Sequence, residues 1–232
     1  MREIILDTET TGLDPASGHR IVEIGGIELL HHVPTGARFH RYINPQRDMP
    51  PEAMAVHGLS IDFLRDKPVF AAVADELLEF LGDARLVIHN AAFDLNFLNF
   101  EFTLARRGLI SADRTVDTLL LARQRHPMGP NSLDALCKRY GIDATRRARH
   151  GALLDAELLA EVYVELIGGR QAALMLVEAK KVAIMDAGRV PAFLRPRPLP
   201  PRLTEMEIAA HGGLVAALGE GALWLRFAGR LS

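Results

Sequence analysis

Glu3-Ile4-Ile5-Leu6-Asp7-Thr8-Glu9-Thr10-Thr11-Gly12 is the stretch that decides the architecture. Ile4-Ile5-Leu6 reads as a short apolar strand running to Asp7, and Thr10-Thr11-Gly12 turns the chain behind it. Strand side chains alternate, so Asp7 and Glu9, two positions apart, face the same side. Two like charges held together are costly unless a cation compensates them. The end of this strand is therefore the first place to look for chemistry.

Working outward, residues 20–30 and 37–43 are apolar runs separated by Pro34-Thr35-Gly36, and they read as the second and third strands of an antiparallel meander. Residues 50–58 form a loop with a short helical piece. Residues 69–81 have helical apolar spacing and stop at Gly82. A short buried strand follows at 86–88, then a helix from about Phe93 to Arg107 ending at Gly108, and a further strand at 115–118. Residues 132–140 are a helix with Gly141 as its stop, and 151–167 a long helix ending at Gly168-Gly169. Strands first, then strands alternating with helices, give an α/β fold with a mixed sheet and helices on its faces.

That compact domain is expected over residues 1–170. Residues 171–203 form a linker that holds five prolines, Pro191, Pro196, Pro198, Pro200 and Pro201, so that its second half forms neither helix nor central strand. Residues 204–232 carry a capping box, Thr204 with Glu207, and an apolar stripe including Ile208, Leu214 and Leu218. A segment of this kind has little core of its own. It either docks on a partner or folds back on the main domain.

The formal charge is −2, with 49% apolar and 24% charged residues, an ordinary soluble balance that does not suggest broad binding to duplex backbone. A small cleft in which metal ions offset phosphate charge remains compatible with it. The single cysteine, Cys137, cannot form an internal disulfide, and Asp7 and Glu9 interrupt the N-terminal apolar run, so the reading is a cytoplasmic protein without a signal peptide or membrane span.

Two more carboxylates stand close to apolar runs: Asp94 in His89-Asn90-Ala91-Ala92-Phe93-Asp94, and Asp155 in His150-Gly151-Ala152-Leu153-Leu154-Asp155. With Asp7 and Glu9 they suggest one shared acidic cleft, and hard oxygen ligands suit Mg²⁺ or Mn²⁺. On one continuous helix, His150 and Asp155 would lie about 140° apart. They converge only if His150 sits on the lead-in and Asp155 on the first turns. The alternatives for His150 are a helix cap or a surface histidine.

These motifs, in this order and spacing, resemble the DnaQ-like, or DEDDh, exonuclease superfamily. Asp7-Thr8-Glu9-Thr10-Thr11-Gly12 is similar to its first motif, the Asp94 stretch to its second and the His150–Asp155 stretch to its third. Within the superfamily, Pro51-Glu52-Ala53-Met54-Ala55-Val56-His57-Gly58, Asn131-Ser132-Leu133-Asp134-Ala135-Leu136-Cys137 and the tail resemble the family of proofreading epsilon subunits of bacterial DNA polymerase III. The resemblance implies a ribonuclease H-like fold and 3′→5′ hydrolysis of DNA ends. It also implies two divalent ions held by Asp7, Glu9, Asp94 and Asp155, with His150 as general base. Asp7, Glu9, Glu52, His57 and Asp155 would contact the terminal nucleotide, and the tail would bind the polymerase's alpha subunit, beside which a small accessory subunit is a further possible partner. Gln171, Leu174 and Leu176 resemble the short peptides that grip the bacterial sliding clamp; the alternative there is a helical extension of the core. A phosphatase of the haloacid dehalogenase type would want a second Asp where this chain has Glu9. An RNA-trimming exonuclease would have no use for the tail, and a non-catalytic adaptor none for the acidic set.

Overall fold

The computed structural model describes residues 1–145, 150–168 and 203–219. The chain divides into two compact units, Met1–Val182 and Ala183–Ser232.

The first unit is built on a five-stranded sheet of order β3-β2-β1-β4-β5. The strands are β1 (Arg2–Thr10), β2 (Ile21–Leu30), β3 (Val33–Tyr42), β4 (Arg85–Ile88) and β5 (Thr115–Asp117). The first three are antiparallel neighbours, while β4 and β5 join parallel to β1 and to each other. Parallel pairing requires crossover segments, and the helices supply them: α1 (Pro51–His57), α2 (Ile61–Leu64) and α3 (Phe70–Leu81) before β4, and α4 (Ala91–Leu104) before β5. After the sheet come α5 (Thr118–Arg125), α6 (Leu133–Tyr140) and α7 (Ala152–Leu166). The expected mixed sheet between helical layers is the observed one.

Alternation along β1 sorts the core. Ile4 and Leu6 pack with Phe70, Val73, Leu77, Phe97 and Phe102 of α3 and α4. Ile5, on the other face, packs with Ala156, Leu159 and Tyr163 of α7. A third cluster joins α5, α6 and α7 through Ala122, Leu136, Cys137 and Val162. The same alternation carries Asp7 and Glu9 onto the α7 face, and β1 continues through both of them to Thr10 instead of ending at Asp7.

Three expectations are corrected. The β2–β3 turn is His31-His32, both in the left-handed region (φ 52° and 66°), with Leu30 paired to Val33. Pro34-Thr35-Gly36 lies inside β3, where an edge strand tolerates the missing proline N–H and Gly36 takes φ 92°. Helix α4 ends at Leu104, and the left-handed residue after it is Arg106 (φ 55°), two residues before Gly108. Finally, the predicted strand stops at Asp117, whose Oδ1 accepts from Leu119 N–H at 2.8 Å and starts α5, a helix that the short Leu119-Leu120-Leu121 run does not announce.

In the second unit, α8 (Glu205–Ala217) begins with the expected capping box: Thr204 N–H donates to Glu207 Oε2 at 2.8 Å, and Glu207 N–H to Thr204 Oγ1 at 3.3 Å. Ile208, Leu214 and Leu218 are exposed. Residues 171–202, with Gln171, Leu174 and Leu176, lie outside the described residues. No helix among the described residues is long and apolar enough to cross a membrane.

Candidate active site

Helix α7 delivers the third motif to β1. His150 stands before the helix, Gly151 is its N-cap and Asp155 lies in its first turn, so the lead-in geometry that convergence demands is present. His150 Nδ1 lies 3.2 Å from Asp155 Oδ2. One ligand atom each from Glu9, His150 and Asp155 falls within 4.8 Å of the others. Glu9 and Asp155 are buried, and His150 is half-exposed. Two buried carboxylates and an imidazole with ligand atoms this close form a donor set that fits a hard divalent cation.

The close approach of α7 depends on β2. Gly25 pairs with Asp7 across the sheet, and a Cβ on Gly25 would stand 2.2 Å from the Ala152 carbonyl carbon. Only glycine lets the first turn of α7 settle onto the sheet beside Asp7. Two positions earlier, Glu23 is buried opposite Glu9, with its Oε1 2.7 Å from His40 Nε2.

Asp94 reaches β1 from the other layer. Its Oδ1 accepts from Thr8 N–H (3.1 Å) and Thr8 Oγ1–H (2.7 Å), so it sits on the α4 side of the strand rather than within the Glu9–His150–Asp155 trio. Burial pushes its carboxyl up to about 7, against the pull of the Thr8 hydrogen bonds and with the Asp117 charge adding to the rise. An unfolded aspartate titrates near 4, so between about pH 4 and 7 the folded state holds one proton more. Without metal, stability should therefore fall as pH rises through that window. Asp94→Asn cannot titrate, and by denaturation in chelator it should be more stable than wild type at pH 8 by on the order of 2–4 kcal/mol, with no such gain at pH 4. Parallel stability–pH curves for the two proteins would refute this.

The trio lies between two clefts. One, of 590 Å³, is lined by Glu9, Thr10, Leu13, Glu52, Val56, His57 and Phe93 among others. His57 is buried and its Nδ1 accepts from Leu59 N–H at 3.0 Å. Burial lowers its pKa, opposed by the Glu23 charge and a weak hydrogen bond to the Thr10 backbone, and this favours the neutral ring. Glu52 is exposed on α1. His150 N–H reaches the Val56 carbonyl at 3.4 Å, so the segment carrying His150 leans on the helix that carries Glu52 and His57.

The other cleft, of 560 Å³, is lined by Asp7, His89, Arg123, Asn131, Ser132, His150 and Asp155 among others. His89 Nδ1 lies 2.9 Å from Thr118 Oγ1, and burial lowers its pKa. Sequence reasoning did not single out Arg123 as a site residue, because the helix that presents it was not expected.

The exonuclease family profile matches residues 4–163. The chain is 57% identical over 185 residues to the DNA polymerase III subunit epsilon of Rickettsia conorii, covering 78% of this chain and 80% of that protein. It is 42% identical over 235 residues to that of Escherichia coli K12, covering 96% and 97%. Among solved structures it is similar to exonuclease X in complex with 5′ overhanging duplex DNA (TM-score 0.58, 26% identity, 72% of this chain and 92% of that one). It shares the fold of the nuclease domain of 3′hExo, a DEDDh family member, bound to rAMP (TM-score 0.62, 18% identity, 72% and 91%). The chain therefore belongs to the exonuclease family and, within it, to the epsilon subunits of DNA polymerase III, divalent-metal-dependent 3′→5′ proofreading exonucleases.

Proposed function

We propose that the chain removes mispaired 3′-terminal nucleotides from DNA, with two Mg²⁺ or Mn²⁺ ions held by Asp7, Glu9, Asp94 and Asp155. The observation that carries this reading is the Glu9–His150–Asp155 trio within 4.8 Å, flanked by two clefts at the end of β1. When bound, the ions would polarise the attacking water and offset charge on the phosphate and the leaving 3′ oxygen. Glu52 and His57, with Phe93 and Leu13 beside them, would seat the terminal nucleotide. An Nδ1–H donated to Asp155 Oδ2 leaves His150 Nε2 with the lone pair that takes the water proton. Water oxygen bonds to phosphorus as its proton passes to His150, the bond from phosphorus to the 3′ oxygen breaks, that oxygen takes a proton from solvent, and a nucleoside 5′-monophosphate is released. His150→Ala should lower turnover by roughly 10²–10⁴-fold while Mn²⁺ still binds; near-wild-type turnover would remove His150 from this role.

Fraying costs least at a mismatch, so a mispaired end reaches the site more often. The test is digestion of matched and mismatched primer termini, and of RNA, by the purified chain with Mg²⁺. Faster release from the mismatched DNA primer supports the reading, and equal rates on both ends count against it.

Residues 171–203 serve in this proposal as the linker, and residues 204–232 bind the polymerase's alpha subunit through the exposed face of α8 that includes Ile208 and Leu214. Gln171, Leu174 and Leu176 would add a weak clamp contact, useful only beside the polymerase's own. Deleting 190–232 should leave hydrolysis of short single strands within about twofold, since every proposed catalytic residue precedes residue 156, and should abolish co-purification with the alpha subunit. Loss of hydrolysis would show instead that the tail supports the catalytic unit.

A further inference from the structure

The two clefts meet at the catalytic trio from opposite sides: Glu9 lines one, while His150 and Asp155 line the other. On the reading above, on which this inference rests, the terminal nucleotide fills the cleft of Glu52 and His57. The scissile phosphate then lies at the trio, and the rest of the strand leaves through the cleft of His89, Arg123 and Asn131. The next phosphodiester carries a full negative charge past the metal ligands into this cleft, where a cationic donor in the wall would hold it.

Arg123 is the only lysine or arginine among the described residues that line this cleft, and it makes no hydrogen bond or ion pair with any described residue. Its neighbours on α5 are committed to structure. Ala122 is fully buried in the α5–α6–α7 cluster. Arg125 donates to the Leu166 carbonyl at 2.8 Å, tying the end of α5 to the end of α7. At the other end, Asp117 caps the helix, and buried Thr118 lies 3.3 Å from the Ile88 carbonyl and 2.9 Å from His89 Nδ1. Helix α5 is thus fixed at both ends, and it presents to the cleft the Arg123 guanidinium, which is committed to no other described residue. A planar donor fork of this kind matches phosphate oxygens.

We propose that Arg123 binds the phosphodiester that follows the scissile one along the strand, and so makes the enzyme prefer substrates of three or more nucleotides over shorter ones. It touches the substrate away from the reacting atoms and sets KM for strands.

The experiment compares two substrates in Mg²⁺. Thymidine 5′-(p-nitrophenyl phosphate) has a scissile phosphodiester and nothing beyond it. The trinucleotide d(TpTpT) carries one further phosphodiester. For Arg123→Ala, the ratio of kcat/KM on the trinucleotide to kcat/KM on the ester should fall by about 10-fold or more, through KM on the trinucleotide. The slope of log(kcat/KM) against log salt for the trinucleotide should flatten by about 0.7, one phosphate contact on a single strand. Arg123→Lys, which keeps the charge, should recover part of both effects. An unchanged ratio and salt slope in Arg123→Ala, or equal losses on both substrates, would overturn the proposal. Failure of the wild-type protein to hydrolyse either substrate would instead sink the exonuclease reading, and this inference with it.

Discussion

Asp155→Ala should lower exonuclease turnover by at least about 10³-fold without loosening the fold. The carboxylate is buried, lies 3.2 Å from His150 through Oδ2 and shares the trio with Glu9. In the proposed site, removing it would take away a metal oxygen ligand and the partner that orients His150, and charge stabilisation of this kind supplies several kcal/mol of the barrier reduction. It also removes one of several carboxylates that repel each other without metal. Thermal denaturation in chelator should therefore show the variant at or above the wild-type Tm, whereas the rise in Tm on adding Mn²⁺ should shrink or vanish. A well-folded variant retaining more than a few per cent of activity would place the metal elsewhere.

Gly25→Ala should be nearly as damaging, for a reason that involves no chemistry of its own. The added methyl would stand 2.2 Å from the Ala152 carbonyl carbon and the same distance from Leu153 N. Those are backbone atoms of the turn that carries Asp155, so the helix must move. A misplacement of about 1 Å can cost roughly 10²-fold in rate, and overpacking typically costs about 1–3 kcal/mol of stability. Gly26 is the control. Its added methyl would meet the end of the Phe80 ring at 2.9 Å, a side chain that can turn aside on the opposite face. Steady-state kinetics and denaturation of the two variants should separate them, with Gly25→Ala losing at least about tenfold more activity. Equal, small effects would mean that α7 is not seated on β2 in the manner described.

The parts of this site that the sequence disclosed are those with a strict period or a local signal. Asp7 and Glu9 are related by strand alternation. His150 and Asp155 are related by a helix start whose position Gly151 marks. The capping box of Thr204 and Glu207 is a purely local hydrogen-bond pattern, and it forms as expected. Features set by distant packing were not disclosed. Nothing local tells that Asp94 meets Thr8 on the α4 side of β1, because that follows from which face α4 covers. The His31-His32 turn lacks the usual glycine and asparagine, so Pro34-Thr35-Gly36 offered the stronger and misleading signal. Arg123 was hidden because Leu119-Leu120-Leu121 fits a strand as well as a helix, and only the Asp117 cap decides between them. Gly25 looked like any glycine in a strand until the approach of α7 gave its missing side chain a purpose.

In the proposed site, Asp7, Glu9, Asp94 and Asp155 together hold two divalent ions. Titration of Mn²⁺ into the purified full-length chain, read by the loss of the free-ion paramagnetic resonance signal, tests it without reference to turnover. The wild-type chain should bind two ions, and Asp7→Ala at most one, bound at least about tenfold more weakly. Two ions bound at wild-type affinity by Asp7→Ala would contradict it.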